Sequence, residues 1–185
     1  SWGPEEYTTL EDGTIDLSKL PADTAYIVTE LECPGYIVDD AQRIIHLDGG
    51  EQAQFVFTNS KMPSLHLYKE SADGTPLGGV TYRLAKIEDG GHYLDRITGP
   101  DGTITWEGLE PGVYSLVETA TVSDHILDTR EHHVQLFPGR DGTIVLQNDR
   151  RPDLTIHKSD ADTGAPVPGT VFLVKGADGH SVAEV

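Results

Sequence analysis

Cysteine is nearly absent from this chain. Cys33 is the only one in 185 residues, so no intrachain disulfide can brace the fold and covalent reinforcement must come from other chemistry. Cys33 stands beside Pro34 with no histidine or base motif near it, which reads as a loop or packing residue rather than a nucleophile. Positive charge is scarce too: 13 Lys and Arg face 31 Asp and Glu, for a formal net charge of -18. A surface of that sign repels phosphate, which excludes a nucleic-acid partner and reads as a solvated acidic coat. No apolar run approaches membrane-spanning length, so no membrane partner is expected within this segment. No signal peptide or sorting signal is visible, and the chain opens on Ser1 without a methionine, as a fragment would. Sustained 3.6-residue periodicity with caps is also missing, which argues against helices.

What the chain has is a repeat. Asn59-Ser60-Lys61-Met62-Pro63-Ser64-Leu65-His66-Leu67-Tyr68-Lys69 recurs 89 residues later as Asn148-Asp149-Arg150-Arg151-Pro152-Asp153-Leu154-Thr155-Ile156-His157-Lys158. Asp12-Gly13-Thr14-Ile15 lies over Asp101-Gly102-Thr103-Ile104 at the same spacing, and Tyr26-Ile27-Val28-Thr29-Glu30 over Tyr114-Ser115-Leu116-Val117-Glu118 with one residue of slippage. A fixed period means one structural unit used several times. Residues 62–150 form a complete unit, 1–61 the C-terminal part of a preceding one, and 151–185 the N-terminal part of a following one. The end segments are incomplete sandwiches with strand edges they cannot cover alone.

Each unit reads as strands. Two-residue alternation runs through Leu65–Lys69, Val80–Leu84, Val113–Val117, His133–Phe137 and Thr143–Gln147. Turn signals separate them: Asp73-Gly74, Gly90-Gly91, Pro100-Asp101-Gly102, Glu110-Pro111-Gly112, Pro138-Gly139 and Asp141-Gly142. Short strands at this spacing predict an all-β fold of tandem immunoglobulin-like antiparallel β-sandwiches, about seven strands per unit. The connectors carry Pro63 and Pro152, which restrict the angles between units and suggest a stalk.

Lys69, Glu118 and Asn148 stand out in the complete unit, and Glu30, Asn59 and Lys158 occupy the same phase in the partial ones. Strand ends are where such residues usually sit exposed. Alternation, however, puts Lys69 on the face of Leu65 and Leu67, pointing inward, and a buried lysine needs a partner or must lose its charge. Other clusters point to no metal or cofactor. His132 and His133 are adjacent on a strand and face opposite sides. Asp160-x-Asp162 lacks the later ligands of a calcium loop and reads as a turn. Trp106 reads as a core or strand residue rather than a sugar platform.

The order Leu67-Tyr68-Lys69, Thr75-Pro76-Leu77-Gly78-Gly79-Val80, Asp101-Gly102, Leu109-Glu110-Pro111-Gly112-Val113-Tyr114, Glu118-Thr119 and terminal Asn148 resembles the Cna protein B-type domain, a prealbumin-like, SpaA-type repeat of Gram-positive pilins and adhesin stalks. The first unit repeats the end of the pattern in Glu30, Pro34-Gly35-Tyr36 and Asn59, and the third repeats its start at Lys158. The loop Thr121-Val122-Ser123-Asp124-His125 departs from the family's Ala-Pro-x-Gly-Tyr. The resemblance implies an autocatalytic isopeptide bond between Lys69 and Asn148, assisted by Glu118, with Glu30, Asn59 and Lys158 as partial-unit counterparts. It implies no cofactor and no ordinary enzyme activity. It places the chain on the extracellular, cell-wall-anchored surface of a Gram-positive bacterium, with neighbouring repeats of the same polypeptide as partners and a host protein or glycan reached through other domains. The chemistry suits the residue types: burial lowers a lysine pKa and so exposes a nucleophilic amine, while a carboxyl in an apolar core can carry protons to the leaving nitrogen. Two other readings stay open from the residues alone, a ligand-binding β-sandwich and an accessory domain of a larger surface enzyme.

Overall fold

The computed structural model describes residues 4–38, 42–89 and 92–177, so the Gly90-Gly91 turn lies outside the described residues. It divides into two compact units, Ser1–Arg150 and Arg151–Val185. Among its described residues the first carries eleven strands: β1 (Thr24–Thr29), β2 (Tyr36–Ile37), β3 (Gln42–Leu47), β4 (Ser60–Lys61), β5 (Leu65–Ser71), β6 (Thr81–Lys86), β7 (Tyr93–Ile97), β8 (Thr103–Trp106), β9 (Gly112–Ala120), β10 (Glu131–Leu136) and β11 (Gly142–Asn148). One short 3₁₀ turn at Ile87–Asp89 is the only helical element among the described residues.

Strands β5 to β11 form a sandwich of two sheets, ordered β10-β9-β6-β7 and β11-β5-β8. Their inward faces hold the core: Leu65 and Leu67 of β5, Tyr82 and Leu84 of β6, Ile104 and Trp106 of β8, Tyr114 and Leu116 of β9, Leu136 of β10 and Leu146 of β11. Trp106 is a core residue, 1% exposed. Strand β7 is exposed on both faces, with Tyr93, Leu94 and Ile97 open to solvent. It is an edge strand that carries Asp95 and Arg96, charges that discourage pairing with another chain. Asp95 accepts two hydrogen bonds from Arg83, at 2.9 and 2.8 Å, directly across the β6–β7 pair.

One pair departs from the antiparallel expectation. β11 runs parallel to β5, with Leu146 opposite Lys69 and Asn148 opposite Ser71. Parallel neighbours need a long crossover, and the five intervening strands supply it. The consequence is positional: both strands end at the same pole of the sandwich.

Turn chemistry fixes that pole. The Asp101 carboxylate accepts from the amide and hydroxyl of Thr103, at 3.1 and 2.9 Å, and Gly102 takes φ +74°. The Gly102 carbonyl accepts from the Lys69 amide at 2.8 Å, and a Cβ on Gly102 would lie 2.3 Å from the Lys69 carbonyl oxygen. Only glycine fits there.

Residues 4–61 show a partial echo. β1 and β3 pair antiparallel from Thr24↔Leu47 to Thr29↔Gln42, and β9 and β10 pair from Gly112↔Leu136 to Val117↔Glu131. The Tyr36↔Lys61 pair of β2 and β4 likewise corresponds to the bridge His125↔Arg150. In the second unit, Asp160 accepts from the amides of Asp162 and Thr163 at 3.1 and 2.8 Å, an Asp-led turn closed by a bridge from Ser159 to Pro166.

Candidate functional site

Three inward-facing rows end in polar residues at the shared pole. Leu65 and Leu67 lead to Lys69, Tyr114 and Leu116 to Glu118, and Ile144 and Leu146 to Asn148. Lys69, Glu118 and Asn148 are buried, at 0, 3 and 2% exposure. Lys69 and Asn148 belong to one sheet, one pair of positions apart in the parallel register, while Glu118 faces them from the other sheet, opposite Tyr82.

The polar atoms close into one network. The Lys69 ammonium donates to Asn148 Oδ1 at 2.5 Å and lies 3.2 Å from Glu118 Oε2. Asn148 Nδ2 donates to Glu118 Oε1 at 2.6 Å and to Thr121 Oγ1 at 3.0 Å. The Tyr82 hydroxyl donates to Glu118 Oε2 at 2.9 Å, and its ring centre lies 5.8 Å from the Lys69 nitrogen. Glu118 thus meets the carboxamide at its nitrogen, while Lys69 takes the carbonyl oxygen. Burial lowers the Lys69 pKa, with Glu118 pulling it back up. Burial also pushes the Tyr82 phenol up, reinforced by the charge of Glu118, so Tyr82 remains a hydrogen-bond donor. Nearby, Arg130 holds the Asp128 carboxyl well below the ordinary carboxylate range. A cavity of about 180 Å³ lined by Ile126, Leu127, Asp128, Arg130, Asn148 and Asp149 reaches the Asn148 side of the site.

The divergent loop also serves this pole. Thr121 accepts from the Asn148 amide, and buried His125 places Nε2 3.1 Å from Ser71 Oγ and Nδ1 2.9 Å from Asp124 Oδ1. Arg150 reaches Asp124 Oδ2 at 3.2 Å. Sequence reasoning did not find Thr121, Ser71, Asp124 or His125 as site residues. The available signal was that His125 stands 89 residues after Tyr36, and that Ser71 continues the inward row of β5.

The partial-unit residues are arranged differently. Asn59 Nδ2 donates to Glu30 Oε1, and Glu30 Oε2 is buried with no hydrogen-bond partner. Lys158 is exposed and donates to the Ser159 carbonyl at 2.9 Å. Cys33 is half-buried. His132 turns to Asp128 and His133 to Glu131, at 3.2 and 3.3 Å, so the two rings serve different partners. No helix among the described residues is long and apolar enough to cross a membrane.

No curated protein matches the sequence. Parts of the chain are similar to solved structures. The TIE protein of Bacillus anthracis is 22% identical with a TM-score of 0.49, over 77% of this chain and 28% of that one. BcpA, the major pilin subunit of Bacillus cereus, is 19% identical with a TM-score of 0.45, over 49% and 29% of the respective chains. The full-length major pilin SpaD of Corynebacterium diphtheriae is 19% identical with a TM-score of 0.42, over 49% and 30%. The chain spans less than a third of the length of each of these proteins. A family model, the SpaA prealbumin-like fold domain, matches residues 63–150. That span takes in all seven strands of the sandwich and its buried polar network, so this part of the chain is similar to the SpaA prealbumin-like fold domain.

Proposed function

We propose that this chain is a structural stalk segment of a Gram-positive surface adhesin or pilus-like protein, and that its complete unit is locked by an isopeptide bond between Lys69 and Asn148. The observation that carries the reading is the enclosure of an amine, a carboxamide and a carboxyl in one apolar core, with the amine 2.5 Å from the carboxamide oxygen. The neutral Lys69 amine adds to Asn148 Cγ, the Cγ–Nδ2 bond breaks, and ammonia leaves. Glu118 sits where it can take the proton from the amine and hand it to Nδ2, since its two oxygens face those two nitrogens. Thr121 and Glu118 together hold Nδ2 on the side away from Lys69. The two sheets supply the rate by fixing the reactants against each other. The reaction happens once per molecule and alters the protein itself, so the chain is not an enzyme in the ordinary sense.

The repeat reading belongs to the same proposal: 1–61 is the back of a preceding repeat, 62–150 a complete one, and 151–185 the front of a following one. The matching registers of β1–β3 and β9–β10 support it. The acidic, disulfide-free composition suits an extracellular rod segment whose bracing cannot be reduced. Intact mass tests the crosslink. The native chain should weigh one ammonia less than its sequence for the complete unit, and Glu118→Ala should restore the full mass. A native chain at full sequence mass overturns the proposal.

A further inference from the structure

We propose that Thr121 is a further catalytic residue of the complete unit: its hydroxyl oxygen stabilises the Asn148 amide nitrogen as that nitrogen turns into departing ammonia. This role rests on the isopeptide reading and assigns the side of the reaction that Lys69 does not reach.

Simple alternation points Thr121 the wrong way. It stands three positions after Glu118, and in a regular strand residues an odd number apart face opposite sides. A β-bulge corrects the parity. Tyr82 pairs with Glu118 but Thr81 pairs with Ala120, so Thr119 is the extra residue. Thr119 and Ala120 are accordingly both exposed, two consecutive positions that unbroken alternation would split between the faces. Continued past the bulge, the register sets Thr121 opposite Val80, which is fully buried, and so returns it to the core face with Glu118. Bulges beside reactive sites serve to re-aim a side chain in this manner. Thr121 is also where the loop first departs from Ala-Pro-x-Gly-Tyr, and an alanine there would offer no acceptor.

The geometry singles out the leaving nitrogen. Both hydrogens of Asn148 Nδ2 are engaged, one by Glu118 Oε1 at 2.6 Å and the other by Thr121 Oγ1 at 3.0 Å. In the starting amide that nitrogen is neutral. Once Lys69 Nζ has added to Cγ and the proton it sheds has passed through Glu118 to Nδ2, the nitrogen holds three hydrogens and a positive charge. The Cγ–Nδ2 bond then breaks and ammonia departs. The hydrogen bond to Thr121 therefore changes from neutral to charge-assisted as the reaction proceeds. An interaction that tightens on the way to the transition state raises the rate, whereas one equally strong throughout does not.

The same side is open to departure. Of the three crosslinking residues only Asn148 lines the cavity of about 180 Å³. Its wall is braced by Arg130, which donates to Asp128 at 2.8 Å, and by the Ile126 amide, which donates to the Asp149 carbonyl at 2.9 Å. Ammonia thus leaves without crossing the core that encloses Lys69.

The test uses the full 185-residue chain, kept in denaturant from synthesis and then diluted into native buffer. Intact mass is read against time, and tryptophan fluorescence, which reports the burial of Trp106, times folding separately. Thr121→Val keeps the size of the side chain and removes the acceptor, while Thr121→Ser keeps the acceptor. Exchanging a neutral for a charge-assisted hydrogen bond is worth about tenfold in rate, so Thr121→Val should lose ammonia about tenfold more slowly than the native chain and Thr121→Ser within about threefold of it. Because the acceptor acts after Lys69 has given up its proton, the Thr121→Val rate should fall by one factor at every pH and leave the midpoint of the profile in place. Thr121→Val at the native rate, Thr121→Ser as slow as Thr121→Val, or a displaced midpoint would each overturn the role of Thr121 while leaving the crosslink standing. A native chain that folds and never loses ammonia would overturn both.

Discussion

Pulling the complete unit by its ends should expose almost no hidden length. The chain enters at Leu65, at the start of β5, and leaves after Asn148, at the end of β11. Because the two strands are parallel and in register from Leu65↔Gly142 to Ser71↔Asn148, force shears them along their length. The proposed bond between Lys69 and Asn148 would short-circuit a sequence separation of 79 residues. At about 3.4 Å per extended residue, such a crosslink would withhold ~270 Å of contour length. The perturbation is the double variant Lys69→Met, Glu118→Gln, which removes the amine and the carboxylate charge together and so leaves no unpaired buried ion. Single-molecule stretching should show unfolding steps approaching ~250 Å in the variant, after subtracting the folded span of roughly 20 Å along β11. The native unit should show no step of that size. Native steps as long as those of the variant would refute the reasoning.

Calorimetry gives a second handle on that variant. Closing a 79-residue loop is worth about 4.5 kcal/mol by loop entropy, and at ~4–8 °C per kcal/mol the sandwich should melt some ~20–35 °C earlier without the bond. The pH dependence follows from Lys69, whose pKa burial lowers below its ordinary 10.5. Between the lowered and the ordinary value the unfolded chain binds more protons than the folded one, so the unlinked chain gains stability as pH rises through that window. The same deprotonation frees the nucleophile, so ammonia release by freshly refolded chain should quicken toward alkaline pH, and a rate indifferent to pH would contradict it. Gly102→Ala and Gly13→Ala form a matched pair, since both sit at positive φ but only the first strikes backbone. Chemical denaturation should show about 1–2 kcal/mol lost in Gly13→Ala from conformation alone, and clearly more in Gly102→Ala, where Lys69 must move.

Much of the site could be read from residue order. Two-residue alternation after Leu65 and Leu67 assigns Lys69 to the core face, and Lys69 is fully buried. The period placed Glu30 and Asn59 in phase with Glu118 and Asn148, and the structure joins each pair by a hydrogen bond. Direction was not legible. Alternation is the same read forward or backward, so nothing in β5 or β11 declared that they run parallel. Strand β7 carries no alternation because both of its faces meet solvent, and β8 is too short for a period to register. The loop at Thr121–His125 was equally opaque. Its departure from the family pattern was visible, but the contacts of Thr121 with Asn148 and of His125 with Ser71 depend on where β9 and β11 end in space.

Peptide mapping tests the proposed bond more directly than any stability measurement. After exhaustive trypsin digestion of the native chain, the peptides containing Lys69 and Asn148 should appear as one branched species, lighter by one ammonia than the two together, with fragmentation placing the branch on those two side chains. Lys69 should resist acylation by amine-reactive reagents even in denaturant. Separate linear peptides, with cleavage after Lys69 and an intact Asn148 carboxamide, would contradict the account.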